Sequence, residues 1–148
     1  MLRRQEHAHA RRFAPDSGAA AVEFAIVSLL FFYLVFGVLQ YGFYFFQLQS
    51  GGAAARHGAR LASVGIPTGG CAAFRDAVKG QVGTVDAAQV SVQLTFSPSA
   101  TVGRSATVRV TFPITRFGFP FVPLPSDTIV EEATARVEQV ESTSCSTG

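Results

Sequence analysis

The chain has 148 residues, a formal net charge of +2 and a sequence pI of about 8.8. This basic balance does not indicate a nucleic-acid partner, because Arg3, Arg4, Arg11 and Arg12 lie near the N-terminus and no basic cluster follows. Beyond an N-terminal apolar stretch, roughly one hundred residues remain, which is enough for one small domain.

The first 18 residues are polar and basic, and they end in a turn-like sequence, Pro15-Asp16-Ser17-Gly18. The apolar part of the chain begins only after this point. An ordinary secretory signal has its apolar stretch before the cleavage site, so the layout here is different. We therefore expect residues 1–18 to form a cytoplasmic leader.

Residues 19–64 are predicted to form one long helix, whose first part is apolar enough for a membrane. Phe24 to Phe46 is a stretch of 23 residues without a formal charge, and a bilayer needs about 20 apolar residues. Because four arginines precede this stretch, the positive-inside rule predicts a cytoplasmic N-terminus and an extracytoplasmic region after it. We expect a single-pass protein of the cell (inner) membrane, with its span at about 24–46.

The second part of this helix is small and polar. Alanines keep its helix propensity high. Gly51 and Gly52 predict a point where the helix is locally less stable, by about 1 kcal/mol per glycine relative to alanine. Gly65, Ile66 and Pro67 are expected to end the helix.

Glu23 is an acidic residue directly before the apolar stretch, at its N-terminal end. A carboxylate in such a place is costly and usually has a partner. One interpretation is that the span starts at Phe24 and that Glu23 lies among the lipid headgroups without a partner. The context favours a specific role instead, because a glycine precedes Glu23 by five residues, small residues lie between them, and no hydrophobic segment comes earlier.

The remaining residues, 65–148, are predicted to form an extracytoplasmic α+β head with a polar C-terminal tail. Residues 71–83 have the pattern of a short amphipathic helix. Residues 89–96 and 106–112 alternate between apolar and polar side chains, which is typical of half-buried antiparallel strands.

Two further segments of the head leave alternatives open. Residues 127–140 fit either a helix or a third antiparallel strand, and their alternation, broken only at Glu131, favours the strand. Residues 116–126 are rich in proline and phenylalanine and predict an extended loop. Its phenylalanines would form an exposed contact patch or cover the sheet edge or core, and we favour the second arrangement.

The two cysteines, Cys71 and Cys145, both follow the span. An even number of cysteines in an oxidising compartment favours a disulfide. The chain-entropy model credits a loop of this size with about 4–5 kcal/mol. Two unpaired thiols are the alternative, because Cys145 lies in a polar tail. No metal site is expected, since no histidine is spaced suitably around either cysteine.

No catalytic constellation is found in the sequence. His57 is the only histidine outside the leader, and no acid stands with it in a nucleophile–base arrangement. There is also no glycine-rich phosphate loop between a strand and a helix. We predict that the protein is not an enzyme and needs no cofactor.

Two segments of the long helix together resemble a known family. The sequence GAAAVEFAIV at 18–27 is followed some thirty residues later by AAARHGARLA at 53–62. This pair of motifs resembles the TadE-like (TadE/TadG) family, the minor pseudopilins of tight-adherence or Flp-type pili. The resemblance covers 17–64. Ser28 and Gln40 depart from it, because many relatives carry a proline near the first position and a second acid at the other. The motif residues are Gly18, Val22, Glu23, Phe24, Arg56, Gly58, Ala59 and Arg60.

The resemblance implies a maturation step and a set of partners. A prepilin peptidase would cut after Gly18 and leave Ala19 as the new N-terminus, so that Glu23 becomes the fifth residue and pairs with the terminal amine of a neighbouring subunit. The implied partners are the membrane, the peptidase, other pilin or pseudopilin subunits and the pilus assembly machinery. The alternative is an uncleaved single-pass membrane protein with an extracytoplasmic binding domain.

Overall fold

A computed structural model of the chain describes residues 16–97, 103–118, 122–138 and 145. The predicted α+β class is confirmed: a long N-terminal helix and one short helix accompany a three-stranded antiparallel sheet. Contacts divide the chain into two units, Met1–Gly37 and Val38–Gly148. The helices are α1 (Asp16–Val64) and α2 (Gly70–Lys79), a short 3-10 turn covers Ala87–Gln89, and the strands are β1 (Ser91–Ser97), β2 (Ser105–Pro113) and β3 (Thr128–Arg136).

The first unit contains the beginning of α1, which differs from the sequence prediction at its first turn. Asp16 to Gly18 is helical, whereas these residues were expected to end the leader in a turn. Small residues and alanines follow at once, so the helical propensity of Ala19 to Ala21 extends back over the turn-forming residues. The rest of the predicted leader, residues 1–15, lies outside the described residues.

The part of α1 that belongs to the second unit packs on the sheet through a face of small residues. The helix continues through Gly51 and Gly52 to Val64 without a break. Gly51 allows close packing, because a Cβ there would lie 2.7 Å from the Phe112 ring. The buried positions recur every three or four residues, as one face of a helix requires. The small buried residues include Gly51, Gly52, Ala54, Ala55, Gly58, Ala59, Ala62 and Ser63.

The sheet has the order β1-β2-β3, and one of its faces is the core. Val108 in the central strand lies opposite Leu94 of β1 and Ala133 of β3. Directly paired residues share a face of the sheet. The alternation in β1 and β2 therefore correctly predicted which side chains lie on the buried face. The buried residues of this face include Val92, Leu94, Ala106, Val108, Val110, Phe112 and Ile129.

A second layer of the core comes from α2. It buries Phe74 and Val78, as the amphipathic pattern predicted. It is shorter than the predicted 71–83, because it ends at Lys79, with Gly80 as its C-cap. The connection from α1 turns at Gly65 and Gly69, whose φ angles of 120° and 118° favour glycine.

Candidate functional site

The first candidate site is the start of α1, from Gly18 to Phe24. Val22 is 61% exposed and Phe24 is 73% exposed, and Gly18, Ala19 and Glu23 are also exposed. A Cβ added at Gly18 would meet nothing within 4 Å. The packing of the described residues therefore does not require a glycine at position 18.

The apolar surface that follows is not covered by the protein itself. Phe24, Ile26, Leu29 and Leu30 are all at least 66% exposed. Among the described residues, one helix is long and apolar enough to cross a membrane by length and composition, and none of its most apolar window is buried. Exposed apolar area costs about 25 cal/mol per Å² in water, so this surface needs a non-aqueous environment or a protein partner.

The second candidate site is the later motif, Arg56 to Arg60, whose residues divide between two faces of α1. Gly58 and Ala59 are buried, whereas Arg56 and Arg60 are exposed and lie one turn apart. A Cβ at Gly58 would lie 2.9 Å from a methyl of Val78 and 3.0 Å from one of Val108. The glycine of the motif is thus the point where α1 approaches both α2 and β2, a role that its sequence context did not indicate.

The structure also explains the acid that interrupted the alternation of β3. Glu131 lies opposite the buried Val110, so its side chain is on the face of the sheet that packs against α1. The position of a Cβ at Gly52 would be 3.6 Å from the Glu131 carboxylate and 3.3 Å from the Arg56 guanidinium. The missing side chain at Gly52 therefore gives room to both charged groups. The irregular alternation at Glu131 was the only sequence signal for this arrangement.

Two glutamines of α1 attach the proline- and phenylalanine-rich segment to the helix. Gln47 is fully buried; its Nε2 donates to the Thr115 carbonyl at 3.1 Å and its Oε1 accepts from the Thr115 N–H at 2.8 Å. Gln40, only 3% exposed, accepts from the Phe117 N–H at 3.3 Å. In the sequence, Gln40 stands out only as a departure from the family pattern and Gln47 does not stand out at all, although buried polar side chains in an apolar helix require such partners.

Two further contacts hold the same segment against α1. The Tyr41 hydroxyl donates to the Pro123 carbonyl at 2.7 Å, and the rings of Phe43 and Phe117 are 4.7 Å apart. Phe117 remains 53% exposed, so it is not part of the buried core. Residues 119–121, with the other two phenylalanines of the predicted loop, lie outside the described residues.

The two cysteines form a disulfide in the structure, with their Cα atoms 5.5 Å apart. Cys145 is 2% exposed, and its carbonyl accepts a hydrogen bond from the Leu94 N–H at 2.9 Å. This residue is therefore part of the core beside β1 and not a loose end. The parts of the chain that the structure describes hold no group of three or more His, Cys, Asp or Glu side chains that could bind a metal.

Within the described residues, one exposed apolar helix and a small α+β unit define a class of protein with a candidate membrane anchor. Residues 18–60 match the model of a family described as TadE-like protein, which confirms the resemblance of the two motifs. The match covers 43 of 148 residues and ends before the head. The TadE-like pilus family is structural and not enzymatic, and the match and the candidate membrane helix fit a Tad pilus component. No curated protein and no solved structure matches the chain.

Proposed function

We propose that this protein is a TadE-like minor pilin or pseudopilin, a membrane-anchored structural component of tight-adherence pilus assembly or of a related secretion system. Its N-terminus is cytoplasmic, residues 24–46 cross the inner membrane, and residues 65–148 form an extracytoplasmic head. The observation that carries the proposal is the uncovered apolar helix, which begins with the Gly18–Phe24 motif inside the TadE-like match. The Cys71–Cys145 disulfide supports an oxidising compartment for the head.

Maturation is the first step of the proposed function. A prepilin peptidase cleaves between Gly18 and Ala19 and removes the arginine-rich leader. Since nothing lies within 4 Å of a Cβ at Gly18, the requirement for glycine comes from the peptidase and not from the fold. After cleavage the helix remains in the membrane until assembly, when it packs beside the helices of other subunits.

Glu23 has its role after this cleavage. Its carboxylate pairs with the new amine of Ala19 on a neighbouring subunit. The side chains of Val22 and Phe24 are largely exposed, so assembly places Glu23 in an apolar environment. Opposite charges attract more strongly there than in water, and one of them alone would be strongly unfavourable.

The maturation step is tested by mass spectrometry of the full chain, purified from membranes of cells with and without the peptidase. The proposal expects a chain that begins at Ala19 only when the peptidase is present. Gly18→Phe should abolish this processing. Gly37→Phe is the matched control, because a Cβ at Gly37 also meets nothing within 4 Å, and it should be processed normally. An intact Met1 in cells with active peptidase would instead support the uncleaved single-pass protein.

The role of Glu23 is tested separately, by the variants Glu23→Ala and Glu23→Gln. Both should be cleaved like the native chain, since Glu23 lies beyond the scissile bond. Both should reduce the amount of protein that co-purifies with other pilin subunits, because neither can supply the negative charge. Normal co-assembly of Glu23→Gln would remove the pairing role while leaving the maturation step intact.

A further inference from the structure

The segment formed by residues 114–118 and 122–124, here called the strap, runs beside the outer end of the predicted span. Several of its contacts are with one short stretch of α1, Gln40 to Gln47. They are the paired hydrogen bonds of Gln47, the single one of Gln40, the Tyr41 hydroxyl bond and the ring contact of Phe43. The strap is thus fixed at a known height along the helix.

This height can be expressed relative to the end of the span at Phe46. A helix rises about 1.5 Å per residue. Thr115 is bonded to Gln47, one residue beyond that end. Phe117 contacts Phe43, which lies roughly 4.5 Å inside the end at this rise. Pro123 is bonded to Tyr41, roughly 7.5 Å inside it. If residues 24–46 span the bilayer, the strap therefore reaches the boundary between headgroups and acyl chains.

Several backbone polar groups of the strap have the hydrogen-bond partners that this boundary requires. Irregular backbone enters an apolar layer only where its polar groups have partners. Here the Thr115 and Phe117 N–H groups are bonded to glutamines, the Pro123 carbonyl is bonded to Tyr41, and a proline has no N–H to satisfy. Arg116 is paired with Asp127, so the strap does not bring an uncompensated arginine to this level.

An apolar groove lies next to Phe117. It has a volume of about 590 Å³, and Gly42 leaves it open because a Cβ there would meet nothing within 4 Å. Val38 and Leu39 extend it along α1 as exposed surface, so the groove is continuous with the lipid-facing side of the span. Its lining residues are Val38, Leu39, Gly42, Phe43, Phe46 and Phe117.

We propose that the strap anchors the head on the outer leaflet of the bilayer, with Phe117 inserted at the boundary and a phospholipid acyl chain in the groove. This inference rests on the proposed function in one respect, namely that residues 24–46 cross the bilayer. It adds a second membrane contact, made by the head itself, which holds the head beside the membrane before assembly.

The test measures the depth of single tryptophans in the full chain, reconstituted into vesicles of phosphatidylcholine and phosphatidylglycerol. The native chain has no tryptophan, so each variant carries a unique fluorophore. Phe117→Trp tests the strap, and Phe31→Trp tests the span. Val130→Trp on β3 is the matched control, since Val130 is 51% exposed and Phe117 is 53% exposed. The quenchers are phospholipids brominated either near the glycerol end or near the methyl end of the acyl chain.

The proposal expects Phe117→Trp to lose more fluorescence with the bromines near the glycerol end, Phe31→Trp to lose more with those near the methyl end, and Val130→Trp to lose none. If Phe31→Trp is quenched while Phe117→Trp behaves like Val130→Trp, the strap anchor is overturned and the proposed span stands. If Phe31→Trp is not quenched, the span itself fails and the anchor fails with it. Blue-shifted emission of Phe117→Trp without bromine quenching would show that the tryptophan is surrounded by protein and not by lipid. This result would also overturn the proposal.

A second measurement uses the native chain and does not depend on a variant that folds. Phospholipids with a photoreactive group on the acyl chain are cross-linked to the reconstituted protein, which is then digested with trypsin. The expected label lies on the strap part of the peptide that begins at Phe117 and not on its β3 part. Labels confined to α1 would overturn the strap anchor.

Discussion

The adjacent glycines Gly51 and Gly52 give a sharp test of how α1 packs on the sheet. A Cβ at Gly51 would lie 2.7 Å and 2.9 Å from two atoms of the Phe112 ring. That ring is 1% exposed, so it has little room to move. A Cβ at Gly52 would lie no closer than 3.3 Å to any atom, and its neighbours are the flexible ends of Arg56 and Glu131. Alanine should therefore be tolerated at the second position only.

The difference between the two alanine variants isolates the packing term. Both replacements gain about 1 kcal/mol of helix propensity, so this contribution cancels in the comparison. Overpacking a core costs about 1–3 kcal/mol, and only Gly51→Ala incurs it. We therefore expect the free energy of unfolding of Gly51→Ala to be about 1–3 kcal/mol below that of Gly52→Ala, with Gly52→Ala at or slightly above the native chain.

The assay is thermal unfolding of the full chain in detergent, with the disulfide intact, followed by near-ultraviolet circular dichroism. At about 4 °C per kcal/mol for a unit of this size, the two midpoints should differ by roughly 4–12 °C. A midpoint of Gly51→Ala equal to or above that of Gly52→Ala would refute the reasoning, because α1 would then not approach the Phe112 ring.

Two further predictions concern the disulfide and the buried glutamines. Replacing both Cys71 and Cys145 by serine should lower the free energy of unfolding by about 4 kcal/mol, because their separation of 74 residues closes a long loop in the unfolded chain; free thiols in unreduced native protein, detected by alkylation, would contradict the bridge. Gln47→Leu should cost about 1–3 kcal/mol, since it leaves the N–H and carbonyl of Thr115 without their partner. Gln40→Leu is its control and should cost less, because it removes one bond of 3.3 Å and an amide nitrogen that has no partner among the described residues; a larger loss for Gln40→Leu in the same unfolding assay would contradict the assignment.

The strands show how far local sequence could predict this fold. β1 and β2 were predictable because apolar and polar side chains alternate along them, as in a strand with one buried face. β3 was ambiguous because its residues also fit a helix and Glu131 interrupts their alternation. Its carboxylate faces α1, beside the Cβ-free position at Gly52, and only the packed helix makes that location acceptable. A local pattern cannot contain this information, since the two residues are far apart in the sequence.

The sequence alone determined the elements whose cause is local. Runs of apolar residues make the long exposed helix, alternation makes the strands, and the two motifs carry the TadE-like resemblance without any contribution from the fold. The tertiary structure decided how these elements pack against and bond to one another. Gly51 and Gly58, which local propensity treats as helix weaknesses, became the points of closest helix packing. The strap came to lie at the outer end of the apolar helix because buried Gln47 and Gln40 needed hydrogen-bond partners. Both outcomes depend on contacts between distant residues, which are formed only when the chain folds.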